Sequence, residues 1–422
     1  MKNIFPILLL VMLMTMFYCT ATDSVDESLK NSYPKAVTIK LENRTDMERL
    51  DEAIVFDVAK LKERVPIFNP NAFVITSDGK ELPSQANDLD GDNSPDQIVS
   101  VMDFKPMETK RINIRFAING GIKRDYTKRT QAELSVKVGG KFINRKYIGG
   151  AFQNINYLRV PPEHTDHSFY IRYEGPGWES DKVGYRFYLD WRNASDIYGK
   201  KVPDMVLQDV GQDGFESYHE MSDWGMDVLK VGESLGIGSI GMWYNDRAQR
   251  VSQTDSVTCE IVLNDVVESL IRTKYYGWVV DNKHYDLKSE LSIFAGSRMT
   301  KHDLHIEGKP DNLCTGIVKN ADAEYIQSEN NEGWAYIASY GAQSLAEDNL
   351  GMAILFHQNN LIEITEDEYN HVVVLNPRDN DLCYYFLGAW EKEPDGIKTK
   401  KAFIDYLEET IQKLNDPIKI NY

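Results

Sequence analysis

The chain has 422 residues and a hydrophobic fraction of 42%, enough for one large folding unit or two ordinary ones with a substantial core. Its formal charge of −18 argues against nucleic acid or an anionic membrane surface as partner, since either calls for a basic face. An acidic chain that binds an acidic ligand has to gather its Arg and Lys residues locally.

Lys2 followed by the apolar run Ile4 to Tyr18 predicts a secretory signal peptide over residues 1–21, with Cys19 and Ala21 as small residues placed for cleavage after Ala21. A lipid anchor on Cys19 is the alternative, although Phe17 and Tyr18 stand where lipoprotein processing prefers small residues. No other run predicts a transmembrane segment, so the mature protein is expected to be soluble or tethered. Residues 22–35 read as a polar linker. Cys259, Cys314 and Cys383 remain after signal removal; their scatter fits buried thiols better than a disulfide framework, and they make no C-x-x-C metal pattern.

From residue 36 the chain reads as β. Val37 to Leu41, Phe73 to Thr76 and Ile112 to Phe116 alternate, and turn residues separate them, which predicts a small β-sandwich over 36–149. Thr45 to Lys62 fits either strand or a helical turn. Within this region Asp88, Asp90, Asp92 and Asp96 follow the first half of a calcium loop, but its twelfth position is Val99 instead of a bidentate Glu. The plainer reading is a tight turn whose carboxylates cap backbone N–H groups. Lys123 to Lys146 reads as a basic hairpin. Over 150–422 helix-free strands follow one another, among them 257–263, 287–294, 301–307, 334–340, 352–357, 371–375 and 382–387. They predict a large antiparallel β-sandwich. Thr399 to Leu414 is the clearest helix, with Phe403, Leu407, Ile411 and Leu414 on one stripe and Asp416-Pro417 to end it.

The stretch from Gly184 to Arg192 is the best candidate for a ligand surface. Read as one strand, its odd positions Tyr185, Phe187, Leu189 and Trp191 face the core. Its even positions Arg186, Tyr188, Asp190 and Arg192 make an open face suited to an anionic, hydroxyl-rich ligand, because guanidinium grips carboxylate or sulfate at two points. An exposed strand with a cross-strand ion pair is the bland alternative. Trp178, in the loop-like context Gly175-Pro176-Gly177, and Trp224 are candidates to stack on sugar rings; core packing is the competing reading.

A second block, Tyr218 to Gly232, packs His219, Asp223, Asp227 and Lys230 closely. His219 is the candidate general base, and Lys230 and Asp223 are candidate substrate contacts, against a turn-capping His and a surface Lys. The glycines Gly232, Gly236, Gly238 and Gly241 match neither G-x-G-x-x-G nor a P-loop, so nucleotide binding is rejected. In Lys301-His302-Asp303-Leu304-His305 the two His face opposite sides of a strand. His305 shares the polar face and ranks above His302, and no zinc spacing is present. No G-x-S-x-G elbow appears.

The segments Tyr185 to Asn193 and Asp223 to Gly232 resemble a family of exported proteins of unknown function encoded in polysaccharide-utilisation clusters of Gram-negative glycan degraders. Members associated with ulvan, the sulfated rhamnose–uronic acid polymer of green algae, are similar to this chain. The resemblance implies a periplasmic oligosaccharide dehydratase on a sulfated, acidic oligosaccharide, which removes water from a non-reducing-end glucuronic or iduronic acid and leaves a 4,5-unsaturated sugar. It carries over no catalytic residue. The residues themselves suggest Arg186 and Arg192 against the uronate carboxylate, His219 as base, and Tyr188 as acid with His305 in reserve. No redox or nucleotide cofactor is required. A glycoside hydrolase using Asp190, Asp223 or Asp227, a polysaccharide lyase and a non-catalytic glycan binder are the rival readings.

Overall fold

The computed structural model describes residues 27–121, 124–214, 216–329 and 331–422. The expected signal peptide, Cys19, the first part of the linker and Lys123 lie outside the described residues. The protein is mainly antiparallel β, with a long helix near residue 400, as the strand pattern predicts. Among the described residues no helix is long and apolar enough to cross a membrane.

Alternation in Val37 to Leu41 buries Val37, Ile39 and Leu41 within the strand Lys35–Glu42. This strand lies in a five-stranded sheet between Thr109–Phe116 and the late strand Lys419–Asn421. A three-stranded sheet of Arg49–Asp57, Gln97–Phe104 and Ser84–Asn87 packs against it. Ile39, Phe56, Ile98 and Ile114 fill the space between, and Ile418 joins them. The ambiguous stretch from Thr45 turns out to be both things: the strand Arg49–Asp57 runs straight into the helix Val58–Arg64. Asp57 makes the switch by accepting the Lys60 N–H as N-cap.

The largest layer is a nine-stranded sheet in the order Tyr157–Arg159, Ser256–Asn264, Glu268–Val280, Lys283–Phe294, Met299–Glu307, Asp381–Trp390, Leu350–His357, Trp334–Gly341 and Ala323–Gln327. Its inner face puts Leu287, Leu291, Leu304 and Phe386 into one core with Trp178, Tyr185 and Phe187 from the opposing layer. His302 is on this inner face, bonded to Ser289 Oγ at 2.7 Å, and burial pushes it down to about 3, so it is a neutral core histidine. Two five-stranded sheets make the opposing layer. One runs Gly225–Asp227, Ser195–Lys200, Val183–Phe187, Gly177–Ser180, Thr130–Glu133; the other holds Gly241–Tyr244, Leu313–Val318 and Asn370–Leu375 at its centre.

The outer face of the nine-stranded sheet is covered at both ends. The helix Lys400–Asn415, capped by Thr399, lays Phe403, Leu407 and Ile411 on Ala338, Tyr340 and Leu355, and burying each such side chain is worth about 2 kcal/mol. At the other end Val99 and Val101 of the three-stranded sheet meet Val267 and Ala295. Cys259 and Cys314 are buried free thiols, and Cys383 is a half-buried one.

The junction with the three-stranded sheet carries a pH dependence. Gln85 Oε1 accepts the Val267 and Glu268 N–H groups, and Asn87 Nδ2 donates to the Glu268 carboxyl at 2.6 Å. Burial pushes Glu268 up to about 7 from an ordinary 4.5. Its folded pKa exceeds the unfolded one, so its contribution is fully present below about pH 4.5 and is lost as pH rises through about 7. Glu268→Gln keeps an oxygen for Asn87 and has no proton to lose. It is expected to stabilise the protein at about pH 8 by on the order of 2 kcal/mol and to leave it unchanged at about pH 4. Thermal melts at both pH values check this; an equal shift at both would remove Glu268 as the titrating group.

Candidate functional site

The strand at the centre of the site is shorter than alternation suggests. It ends at Phe187, and the chain then turns through Asp190-Trp191-Arg192-Asn193. Asp190 Oδ1 accepts the Arg192 N–H, Asn193 takes a left-handed φ of 40°, and Tyr188 N bonds back to Ala194 O. This turn corrects the expected open face of Arg186, Tyr188, Asp190 and Arg192. It also turns Trp191 outward, 43% exposed, whereas Tyr185, Phe187 and Leu189 are buried. Trp178 is not a loop residue: it lies on the strand Gly177–Ser180, fully buried, stacked on Tyr185 with its Nε1 on Thr300 Oγ1. A ring sealed in the core has no face to offer a sugar.

Arg186 points away from that core, but its side is covered. The segment after Lys200 folds over the sheet, packing Val206, Leu207, Val210 and Tyr218 on Tyr173 and Tyr198. Polar groups pin the cover down. Glu179 takes the Val206 and Leu207 N–H groups on one oxygen and Lys200 Nζ on the other. Arg172 pairs with Glu133 and donates to Gln208 O. Arg186 is therefore 2% exposed, and its donors are saturated by the protein. Nη2 bonds Asp196 at 2.8 Å, Asp227 at 2.7 Å and Tyr188 Oη at 3.2 Å; Nη1 bonds Tyr218 Oη at 2.8 Å and Tyr173 O at 3.2 Å. The rings of Tyr188, Tyr198 and Tyr218 lie within cation–π range of its guanidinium. It cannot clamp a substrate carboxylate.

Arg192 is also engaged. Its side chain is 13% exposed and meets Asp190 at 2.5 Å, Asp166 at 2.9 Å and Glu174 at 3.1 Å, with its guanidinium over the Tyr188 ring at 3.9 Å. Against the penalty of burial, Arg192 and Arg186 hold Glu174 down at about 2. The backbone nearby is strained: His167, Phe169, Tyr173 and Glu174 all have positive φ. Such non-glycine residues cost about 1–3 kcal/mol each, and they gather at functional sites.

Asp227 completes the cluster. Burial first, and the neighbouring Asp196 carboxylate second, push it well above the ordinary carboxylate range. Arg186 opposes that shift, its guanidinium paired with the Asp227 carboxylate at 2.7 Å. His219 stands at the rim of this buried charge, its side chain 40% exposed and its Nε2 3.4 Å from Asp227 Oδ2. The Tyr218 ring packs beside it at 4.6 Å. An exposed imidazole backed by a buried carboxylate, itself tied to an arginine, is an arrangement for moving a proton.

The remaining predicted residues divide. Tyr188 is 7% exposed and donates to Asp196 at 2.9 Å, so it belongs to the Arg186 cluster as a buried phenol instead of a group on an open face. Asp190 is tied to Arg192. Trp224 packs edge-on to Tyr198, with Asp223 exposed beside it. Lys230 is exposed beyond Asp227 and makes no ion pair among the described residues. His305 is elsewhere, on the outer face of the nine-stranded sheet and paired with Asp381 at 2.7 Å. Sequence reasoning missed Asp196, Glu174, Tyr173 and Tyr198; only Asp196, close after the Arg strand, left a local signal.

In the aspartate turn the carboxylates cap backbone, as the plainer reading predicts: Asp88 accepts from Gly91 and Asn93, Asp90 from Asp92, Asp92 from Ser94 and Asp96 from Leu89. Oxygens of Asp88, Asp90 and Asp96 also lie within 4.8 Å of one another. They would supply part of the roughly six to eight oxygens that calcium takes, and Asp92 is not among them.

Residues 41–420 match the model of a family described as a domain of unknown function, DUF4861. A protein of Formosa agariphila known only as uncharacterized protein P7 is 23% identical over 436 residues, spanning 97% of this chain and 98% of that one. Two solved structures from Enterococcus faecalis, a glycosyl hydrolase family 38 protein and an alpha-mannosidase, align over 94% of this chain at 10% identity with TM-scores of 0.44 and 0.45. The chain spans about half the length of these two, 48% and 47%, and likeness at that level carries nothing about activity.

Proposed function

The chain belongs to the DUF4861 family, and from that premise we propose that it is a carbohydrate-active hydro-lyase that dehydrates the uronic-acid end of an acidic, sulfated oligosaccharide outside the cytoplasm, as the ulvan-associated resemblance implies. The observation that carries the reading is the His219–Asp227 pair at the edge of the Arg186 cluster. It supplies a base at the surface and a buried counter-charge for the imidazolium, with no redox or nucleotide group needed.

The proton balance closes on one residue. His219 takes the C5 proton; Asp227 stabilises the imidazolium, as the acidic member does in a Ser-His-Asp triad. The imidazolium then returns that proton to the departing 4-hydroxyl on the same side. The C4–O bond breaks, the 4,5 double bond forms and water leaves. Tyr188 has a different part from the acid that its sequence position suggests: its phenol, raised well above its ordinary range mainly by burial, ties Asp196 to Arg186 and positions the pair. Lys230 is the cation we assign to the uronate carboxylate, in place of the saturated arginines. Trp224 and Asp223 are the rim contacts for the ring and its hydroxyls. A hydrolase is disfavoured, because Arg192 holds the Asp190 carboxylate and Arg186 that of Asp227.

The test is product analysis on oligosaccharides with a uronic acid at the non-reducing end. Loss of one water without chain cleavage, with a rise in the ultraviolet absorbance of the unsaturated uronate, is the expected result. New reducing ends mean a hydrolase or polysaccharide lyase, and unchanged oligosaccharide means a binder. A single-residue proton shuttle also fixes the size of one mutant effect. Tyr188→Phe is expected to lower kcat by less than about tenfold, because it removes a positioning bond worth about 1 kcal/mol and no proton carrier. A loss as large as that of His219→Ala would return the acid role to Tyr188.

A further inference from the structure

From Ser135 to Arg159 the sequence contains Lys137, Lys141, Arg145, Lys146 and Arg159 and no Asp or Glu, in a chain of net charge −18. None of these cations makes an ion pair among the described residues; Lys137 and Lys146 lie over the rings of Phe152 and Phe169 instead. Of the two acids that flank the stretch, Glu133 is buried against Arg172 and Glu163 is exposed. The stretch folds into one long hairpin in two parts. Ser135–Val138 pairs with Ala151–Asn154, and beyond a break Lys141–Ile143 pairs with Lys146–Ile148 around the turn Asn144-Arg145, both residues having positive φ. Glycines meet at the break: a Cβ on Gly140 would stand 2.4 Å from the Ile148 oxygen, and one on Gly150 2.5 Å from that of Val138. The outer part has two unlike faces. Phe142 and Tyr147 turn inward onto Tyr170, each with its ring centroid 5.1 Å away, and Tyr147 N–H donates to Ser168 O at 2.7 Å. Lys141 opposite Ile148 and Ile143 opposite Lys146 make the outward face, with Ile143 46% and Ile148 53% exposed. Aliphatic side chains held in the open beside unpaired lysines are a surface that meets something other than water.

We infer that this face docks the protein on a bilayer surface that contains anionic lipid, independently of the His219 pair. Ile143 and Ile148 enter the boundary between headgroups and acyl chains, and Lys141, Lys146 and Arg145 meet the lipid phosphates. The negative charge of the whole chain does not prevent this. At physiological salt, charges separated by more than about 8 Å are largely screened, and the hairpin itself carries only cations. An acidic polysaccharide fits less well: sugar rings rest on flat aromatic faces, and both rings of the outer hairpin are turned inward. A stable protein partner takes roughly 20–30 residues a side, more than a two-stranded tip presents.

Vesicle co-sedimentation tests this by binding alone, so its result stands apart from any turnover assay. The chain is begun at Thr22, so that neither the expected signal peptide nor Cys19 contributes. Binding to mixed phosphatidylcholine–phosphatidylglycerol vesicles, weakening as salt is raised and absent on phosphatidylcholine alone, is expected. Lys141→Gln with Lys146→Gln should weaken it at least about tenfold, and so should Ile143→Ser with Ile148→Ser. Lys141→Arg with Lys146→Arg should retain it, as should His219→Ala. The hairpin substitutions all lie on an open face, and a thermal melt confirms the fold. No binding to mixed vesicles, binding that survives the Gln pair or the Ser pair, or equal binding to neutral vesicles would overturn the proposal. Retention by dextran sulfate without vesicle binding would also overturn it, and would make the hairpin an arm for a soluble polyanion.

Discussion

His219→Ala lowers kcat for uronate dehydration by at least about a hundredfold while oligosaccharide affinity changes little: this is the result expected if the imidazole carries the proton in both directions. General acid–base groups contribute roughly 10²- to 10⁴-fold, and one residue in both roles belongs at the upper end. Binding survives because a group that acts only on the reacting proton adds little to ground-state affinity. Folding survives because the side chain is 40% exposed, and what it leaves behind, Asp227, is still held by Arg186 at 2.7 Å. The measurement is ultraviolet progress curves beside calorimetric titration of the same oligosaccharide. Near-normal turnover would sink the assignment of the base.

The second large effect is on stability. Arg186→Met is expected to cost about 3–5 kcal/mol, because it strands Asp196 and Asp227 together in a closed interior. Arg186→Lys recovers little of this. An ammonium cannot reproduce a planar group that meets Asp196, Asp227, Tyr218 and the Tyr173 carbonyl at once. Adding Asp196→Asn to Arg186→Met should restore part of the loss, since one stranded carboxylate becomes a neutral amide. Denaturant melts of the single and double variants decide it. A single variant as stable as the parent would mean that the cluster opens to water and that Arg186 is available to ligands after all.

The two-residue period in Tyr185 to Phe187 is enough to place the core side of that strand, and the stripe from Phe403 to Ile411 places the helix. The period fails four residues later for a local reason. Asp190 caps the Arg192 N–H and Asn193 takes a left-handed conformation, and both residue types are familiar in turns. The larger failure was not local. Whether Arg186 faces solvent depends on Val206, Leu207 and Tyr218 folding over it, and no periodicity within one strand reports what a later segment covers. His219 and Asp227 were legible as a cluster because they lie on the same short stretch. Asp196, on the neighbouring strand, and Glu174, across a strained turn, become partners only through sheet pairing and burial.

The strand Lys419–Asn421 has a consequence for how the molecule is made. It pairs with Lys35–Glu42, Ile418 enters the same core, Tyr422 Oη accepts the Asp57 N–H, and Arg49 bonds the Asp416 carbonyl across a sequence separation of 367. Chains emerge from the ribosome N-terminal end first, yet here the earliest sheet cannot be finished until some of the latest residues arrive. Until then Lys35–Glu42 is an open edge, with Lys40 facing outward as the kind of charge that discourages pairing with another chain. Closing so long a loop is slow. Removing residues 418–422 would therefore damage the sheet that holds Lys35–Glu42, and the lesion would be read as a failure to assemble instead of a loss of chemistry.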